Sequence, residues 1–301
     1  MVADILHSLP LTMLGCIIGD LAGSRFEGCS QNPKDAPLFV RHETTYTDDT
    51  ICTLAVAEAL VNNQPVEETL RSWCKRYPDR GYGSRFRQWI YMPDAADGHS
   101  YGNGAAMRIA PVGLLAADPR ELTRITAMVT DVSHDHPEAR RGAGAVATSI
   151  RLALSGMEKR AIAAEIREHY GFDLSLSVQD LHDRDQYSES CQDTVPVALV
   201  CALKASCFEE AIRNAIYIGG DTDTIACVAG GLAEALYGIP APLVEESLSY
   251  LPSEFVVVLR RLYSKANQPM PLPVVEKPEQ ERPSDTLLNW LTGLFSKRDS
   301  C

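Results

Sequence analysis

Two short acidic stretches carry most of the chemistry this sequence can offer. Gly219-Gly220-Asp221-Thr222-Asp223-Thr224 sets two carboxylates two residues apart, just ahead of an apolar run from Ile225 to Leu236. Thr47-Asp48-Asp49-Thr50 does the same ahead of Ile51-Cys52, and its Ala57-Glu58-Ala59-Leu60 is matched later by Ala233-Glu234-Ala235-Leu236. The apolar spacing predicts one helix beginning at or just after Asp223 and another over Thr47 to Leu60. Residues i and i+2 do not share a helix face, so the two acids at 221 and 223 converge only if they lie on the turn before the helix. Singly, each stretch reads as an N-cap, since Asp and Thr cap helices and acids are favoured by the helix dipole there. A cap uses one side-chain oxygen, however, and two acids at each of two helix starts repel unless a cation offsets them. Four carboxylates with neighbouring hydroxyls are hard oxygen ligands of the kind Mg²⁺ or Mn²⁺ prefers.

Other candidates are weaker alone. Ser100-Tyr101-Gly102-Asn103-Gly104-Ala105-Ala106-Met107-Arg108 is a small-residue loop feeding an apolar segment. Such a loop can offer backbone N–H groups to a phosphate, or be only a tight turn and a helix start. It does not complete the dinucleotide fingerprint, and no strand precedes it. Ser133-His134-Asp135-His136 is a polar turn before a helix at Pro137; a His-x-His pair can bind metal, or be one buried and one solvated histidine. Gly15, Gly19 and Gly23 recur every four residues and give one smooth face, which points to close helix packing rather than chemistry. Asp20 and Glu27 lie near that face, and Glu27 is free to turn inward.

The elements that must position these residues read as helices throughout. Helical spacing covers Leu11–Glu27, Pro65–Tyr77, Ser84–Tyr91, Pro119–Val132, Pro137–Leu154, Met157–Tyr170, Thr194–Cys207, Phe208–Ile218, Pro240–Tyr250 and Ser253–Ala266. Residues 28–46, 92–99 and 171–190 read as loops. Period-two alternation and a βαβ rhythm are absent, so residues 1–266 are expected to form one all-α domain that brings two distant helix starts together. Residues 267–283 hold five prolines and read as a linker; residues 284–301 turn amphipathic, with Leu287, Leu291 and Leu294 on one face. That last helix is expected to dock on its own domain or on a protein partner, or less favourably at a lipid interface, since its polar face is not rich in basic residues.

Composition narrows the partners. With 45% apolar and 23% charged residues the chain is ordinary for a water-soluble protein. A net charge of −12 argues against nucleic acid or an anionic membrane as the main partner. The nine cysteines form no C-x-x-C pair and no zinc-spaced cluster, which fits reduced core thiols in a cytoplasmic protein. There is no basic region followed by an apolar signal core, and no apolar run of the ~18 residues a membrane span needs.

Five pieces stand in one order: Gly19-Asp20 with Gly23 and Glu27; Thr47-Asp48-Asp49-Thr50; Ser100 to Arg108; Ser133-His134; and Gly220-Asp221-Thr222-Asp223-Thr224. In that order the chain resembles the ADP-ribosylglycohydrolase family over residues 11–238. The resemblance implies an orthogonal all-α bundle with a central two-Mg²⁺ site, Mn²⁺ being an alternative. It implies Thr47, Asp48, Asp49, Asp221, Asp223 and Thr224 as metal ligands, with Glu27 beside them as a further ligand or as the acid/base group, and Asp48 as the other acid/base candidate. Ser100, Tyr101, Gly102, Asn103, Gly104 and His134 are implied to hold the substrate. The expected activity is removal of ADP-ribose from a modified protein side chain, arginine first and serine second, by a cytoplasmic monomer. Two rivals stand beside it: a non-catalytic ADP-ribose binder or transferase-blocking protein, and a two-metal phosphohydrolase acting on a nucleotide diphosphate.

Overall fold

The computed structural model describes residues 13–30, 32–92 and 99–267. The expected linker and C-terminal amphipathic helix lie outside those residues. Fifteen α-helices are found among the described residues: α1 Leu14–Gly23, α2 Asp48–Asn62, α3 Val66–Arg76, α4 Ser84–Tyr91, α5 Gly104–Met107, α6 Ala110–Leu115, α7 Pro119–Thr130, α8 Pro137–Leu154, α9 Lys159–Tyr170, α10 Val178–His182, α11 Cys191–Lys204, α12 Phe208–Ile218, α13 Thr222–Tyr237, α14 Ala241–Leu248 and α15 Ser253–Lys265. The all-α expectation holds. Extended pairing among the described residues is limited to two isolated bridges, His99 with His134 and Gly102 with Ser190. None of these helices is long and apolar enough to cross a membrane. Six of the eight described cysteines are buried.

Helix α13 is the centre. Every residue from Thr222 to Ala235 is buried, as expected of a helix that is small and apolar all round. Helix α1 lies against it antiparallel, with Gly15 facing Gly230, Gly19 facing Ala226 and Gly23 facing Thr222. A Cβ on Gly19 would stand 2.0 Å from the Ala226 carbonyl oxygen, so the two backbones touch where side chains normally keep helices apart. The stripe of glycines read from sequence as a packing face is therefore that seam.

The seam decides where the acids go. It sets the C-terminal end of α1 beside the N-terminal end of α13. There the chain is tied by Gly28 N–H to Gly220 O (2.8 Å), Gly220 N–H to Cys29 O (3.3 Å) and Thr222 Oγ1 to Phe26 O (3.1 Å). Gly219 and Gly220 both hold positive φ, +78° and +83°, which a side chain would strain. At the far end, the N-terminus of α1 is capped from outside the helix. The Tyr263 hydroxyl accepts from Leu14 N–H (2.8 Å) and donates to Glu234 (3.0 Å), and Glu234 in turn accepts from Gly15 N–H.

One boundary differs from expectation in an informative way. Helix α11 opens at Cys191 rather than Thr194, because the Ser190 hydroxyl accepts from Asp193 N–H and caps it three residues early.

Candidate active site

The start of α2 is held by a residue from another helix. Asp20, fully buried on α1, accepts from Thr47 N–H (2.9 Å), Thr47 Oγ1 (2.8 Å), Thr50 N–H (3.1 Å) and the Thr50 hydroxyl. It therefore supplies an N-terminal cap from a distance of 27 residues in sequence, while Thr47 itself caps Asp49 N–H. Together with the α1–α13 seam, this brings both acidic turns to one place. The Thr224 hydroxyl donates to Asp49 Oδ2 at 3.1 Å, and Thr47 Oγ1 lies 3.4 Å from the same oxygen.

The meeting point lines a cavity of about 310 Å³. Glu27, Asp48, Asp49, Asp221, Asp223 and Thr224 form one side. Ser100, Gly102, Asn103, Gly104 and His134 line it as well, with Asn103 directly against Asp221. Two expected site residues are not on its wall. Thr47 lies one layer deeper, its hydroxyl directed at Asp20 and Asp49. Tyr101 is 53% exposed and lines a neighbouring shallow groove, edge-on to His136 at 5.5 Å. His136 caps α8 through Glu138 N–H, so the His-x-His turn holds one buried ring and one capping ring rather than a metal pair.

The Gly-rich turn also works differently from a simple row of free amides. Gly102 N–H is bonded to Ser100 Oγ (3.2 Å) and Asn103 N–H to Glu189 O (2.7 Å). The amides of Gly104 and Ala105, at the start of α5, are the ones without a bond among the described residues. Asn103 turns its side-chain amide to Asp221 and to Thr194 Oγ1 (3.2 Å), and so orients a carboxylate at the cavity. Gly104 leaves room for the histidine: a Cβ there would stand 3.0 Å from His134 Nε2, so the ring would have to shift by a few tenths of an ångström.

The cavity gathers carboxylates on its wall that form no ion pair among the described residues, although Arg85 and Arg108 line it too. Burial, then the charge of Asp223, pushes Asp48 and Asp49 well above the usual carboxylate range. Burial and Asp221 raise Asp223 to about 8, and burial also raises Asp221. Burial, then Asp223 and Glu189, raises Glu27 at the mouth. Asp49 Oδ1 is buried and has no hydrogen-bond partner among the described residues. Glu27, Asp221 and Asp223 offer oxygens that all lie within 4.8 Å of one another. A buried carboxylate oxygen without a donor beside several unneutralised acids fits a divalent cation with hard oxygen ligands.

Comparison with known proteins places this geometry. The family model for ADP-ribosylglycohydrolase matches residues 11–269. The chain belongs to the ADP-ribosylglycohydrolase family. Its relatives include ADP-ribosylhydrolase ARH3 of Danio rerio, 29% identical over 75% of this chain and 82% of that one. ADP-ribosylarginine hydrolase Tri1 of Pseudomonas putida is 25% identical over 75% of this chain and 70% of its own. A solved structure titled ADP-ribosylglycohydrolase-related protein complex superposes with a TM-score of 0.66 at 25% identity, covering 84% of this chain and 95% of that one. This ADP-ribosylglycohydrolase is accordingly a glycoside-bond hydrolase.

Several residues that build the site had no role in the sequence reading, Arg85 and Phe86 of α4 among them. Asp20 was near the candidates but no pattern joins it to residue 47. Arg108 stood inside the quoted loop, with no hint that it is fully buried. Tyr187 and Glu189 come from a polar loop without periodicity; backbone pairing of Ser190 with Gly102, and of Glu189 with Asn103, brings them to the cavity.

Proposed function

We propose that this glycohydrolase releases ADP-ribose from modified protein side chains in a Mg²⁺-dependent reaction, arginine first and serine second. One observation carries the reading: two acidic helix starts, 175 residues apart at Asp49 and Thr224, share a hydrogen bond at the wall of one cavity. Asp48, Asp49, Asp221, Asp223 and Thr224, with Thr47 behind them and Glu27 at the mouth, would hold two divalent ions. Bound there, the ions supply Lewis acidity and the positive charge that the carboxylates lack.

The chain's own residues do the rest. Cleavage at the ribose anomeric carbon passes through an oxocarbenium-like state, which a wall of carboxylates stabilises. Glu27 is exposed enough to exchange protons with solvent, and its raised affinity for a proton suits it to general acid/base work worth about 10²–10⁴-fold. Asp48, half-buried at the same wall with its amide on Arg80 O (2.7 Å), is the second candidate. Asn103 orients Asp221, while the Gly104 turn and His134 face the place where a diphosphate lies. The acidic mouth, Glu27 with Glu189, favours a cationic guanidinium acceptor over a neutral hydroxyl. Similarity to a protein named ADP-ribosylarginine hydrolase supports the same order.

The test is release of free ADP-ribose from peptides ADP-ribosylated on arginine or on serine, with Mg²⁺ and with chelator. Release from arginine that stops on chelation is the expected result; no release from either peptide overturns the proposal. AMP with ribose phosphate as product instead would mark a phosphohydrolase. Retained ADP-ribose binding with no wild-type turnover would mark a binding protein.

A further inference from the structure

Arg108 is a fully buried cation whose Nε and Nη1 have no hydrogen-bond partner among the described residues. An unpaired buried guanidinium is costly, and no carboxylate forms an ion pair with it among the described residues. Its Nη2 does have partners: Val129 O at 3.1 Å and Ser133 Oγ at 2.8 Å. Ser133 Oγ lies 2.8 Å from His134 Nδ1. The His134 ring stands at the cavity wall beside the Gly102–Gly104 turn and tilts against Phe86 at 6.2 Å.

Directionality settles the chain of bonds. A guanidinium only donates, so Ser133 Oγ accepts from Arg108. The described partners of Ser133 Oγ are Arg108, which cannot accept, and His134, so the one acceptor in reach of the hydroxyl hydrogen is His134 Nδ1, and donation to it leaves neither the hydroxyl nor Nδ1 unsatisfied. Nδ1 is then an acceptor, and the ring hydrogen sits on Nε2. That nitrogen points at the glycine turn and has no partner among the described residues. We propose that Arg108 and Ser133 are positioning residues that lock His134 in the neutral Nε2–H tautomer, so the ring presents one fixed donor to an anionic phosphate oxygen of the substrate. The phosphate rests on the function proposed above; the relay itself does not.

The surroundings agree. Burial, then the Arg108 charge, holds His134 well below the ordinary histidine range, so it stays neutral at physiological pH. The Asp135–His99 pair (3.0 Å) lies next to it in the chain, and Arg85 lines the same cavity with Glu27, Asp48, Asp49, Glu189, Asp221 and Asp223. A neutral ring that cannot lose its tautomer gives a donor that does not titrate as the acids beside it take up or release cations.

The test uses the full-length protein carrying ¹⁵N-labelled histidine. Long-range ¹H–¹⁵N correlation spectra report the tautomer of His134, and titration with free ADP-ribose reports binding. Wild type is expected to show the Nε2–H form alone at about pH 7 and above. Ser133→Ala should show a tautomer mixture, with Kd for ADP-ribose and KM raised about tenfold and kcat changed far less, as for loss of one hydrogen bond to a charged group. Ser133→Thr should restore both spectrum and affinity. Arg108→Lys keeps the charge and should fall between. An Nδ1–H or charged His134 in wild type at pH 7 overturns the relay. So does a Ser133→Ala protein with an unchanged spectrum and affinity. If the spectra and ADP-ribose affinities come out as expected while no ADP-ribosylated peptide is cleaved, the function proposed above fails and the relay stands.

Discussion

Replacing Asp20 tests whether the site is built by a cap that crosses the fold. Asp20 reaches no substrate surface, yet four donors at the start of α2 converge on it. In Asp20→Ala the two hydroxyls can turn elsewhere; Thr47 Oγ1 already lies 3.4 Å from Asp49 Oδ2. The Thr47 and Thr50 amides cannot turn, and each becomes a buried N–H without a partner, costing about 1–3 kcal/mol. The sum is about 2–6 kcal/mol, or about 4–12 °C in Tm at roughly 2 °C per kcal/mol for a chain of this size. Mg²⁺ affinity should fall about 10–100-fold, as when support behind metal ligands is removed. Asp20→Asn provides the control. Its amide oxygen can take the two N–H donors while the amide nitrogen faces Thr47 Oγ1, which reverses to accept. Stability should then stay within about 1 kcal/mol of wild type. Thermal unfolding and Mg²⁺ calorimetry on the three proteins decide the matter. Equal losses in both variants, or an Asp20→Ala protein as stable as wild type, would refute the capping argument.

Gly19→Ala forces a Cβ to within 2.0 Å of a carbonyl oxygen, so the α1–α13 seam must open; a loss of at least about 1–3 kcal/mol and a large drop in turnover are expected from unfolding curves and assay. Asp49→Asn should abolish turnover yet raise the Tm of the metal-free protein by a few degrees, because it removes one of several repelling buried acids. Saturating Mg²⁺ should reverse that order, since only wild type gains binding energy; a metal-free variant less stable than wild type would contradict the repulsion argument. Burial lifts Glu234 to about 8 from an unfolded value near 4.5. Between those values the folded protein holds a proton that the unfolded chain has released, so stability falls as pH rises from about 5 to 8 and levels above it. Glu234→Gln should lose this slope, worth up to about 5 kcal/mol, and parallel pH–stability curves for the two proteins would show the carboxyl does not titrate this way.

Much of the architecture was legible because it is written in local spacing. Pro137–Leu154 and Phe208–Ile218 carry helical periodicity between clear stops, and α8 and α12 occupy those residues. The Gly15-Gly19-Gly23 stripe named a packing face without naming its partner, since the matching small residues of α13 lie some 200 positions on. The two acidic turns were visible as ligand sets, yet their meeting depends on that seam and on Asp20, both long-range. The distinction between Thr47 behind the wall and Asp48 on it turns on hydroxyl orientation, which spacing does not encode. Tyr101 was expected at the substrate and lies out on the rim, because Cys191 N–H binds its carbonyl (3.0 Å) while its side chain goes to His136. Tyr187 and Glu189 entered the site through backbone pairing of irregular loops, for which side-chain pattern gives no signal.

The most direct test is to look for the ions themselves. Crystals grown with Mn²⁺ and measured at its absorption edge should show two anomalous peaks about 3.5–4 Å apart. Both should lie in the cavity, touching carboxylates from the start of α2 and from the start of α13. A single peak bound by one helix start alone, peaks elsewhere on the surface, or an empty cavity at saturating Mn²⁺ would contradict the account.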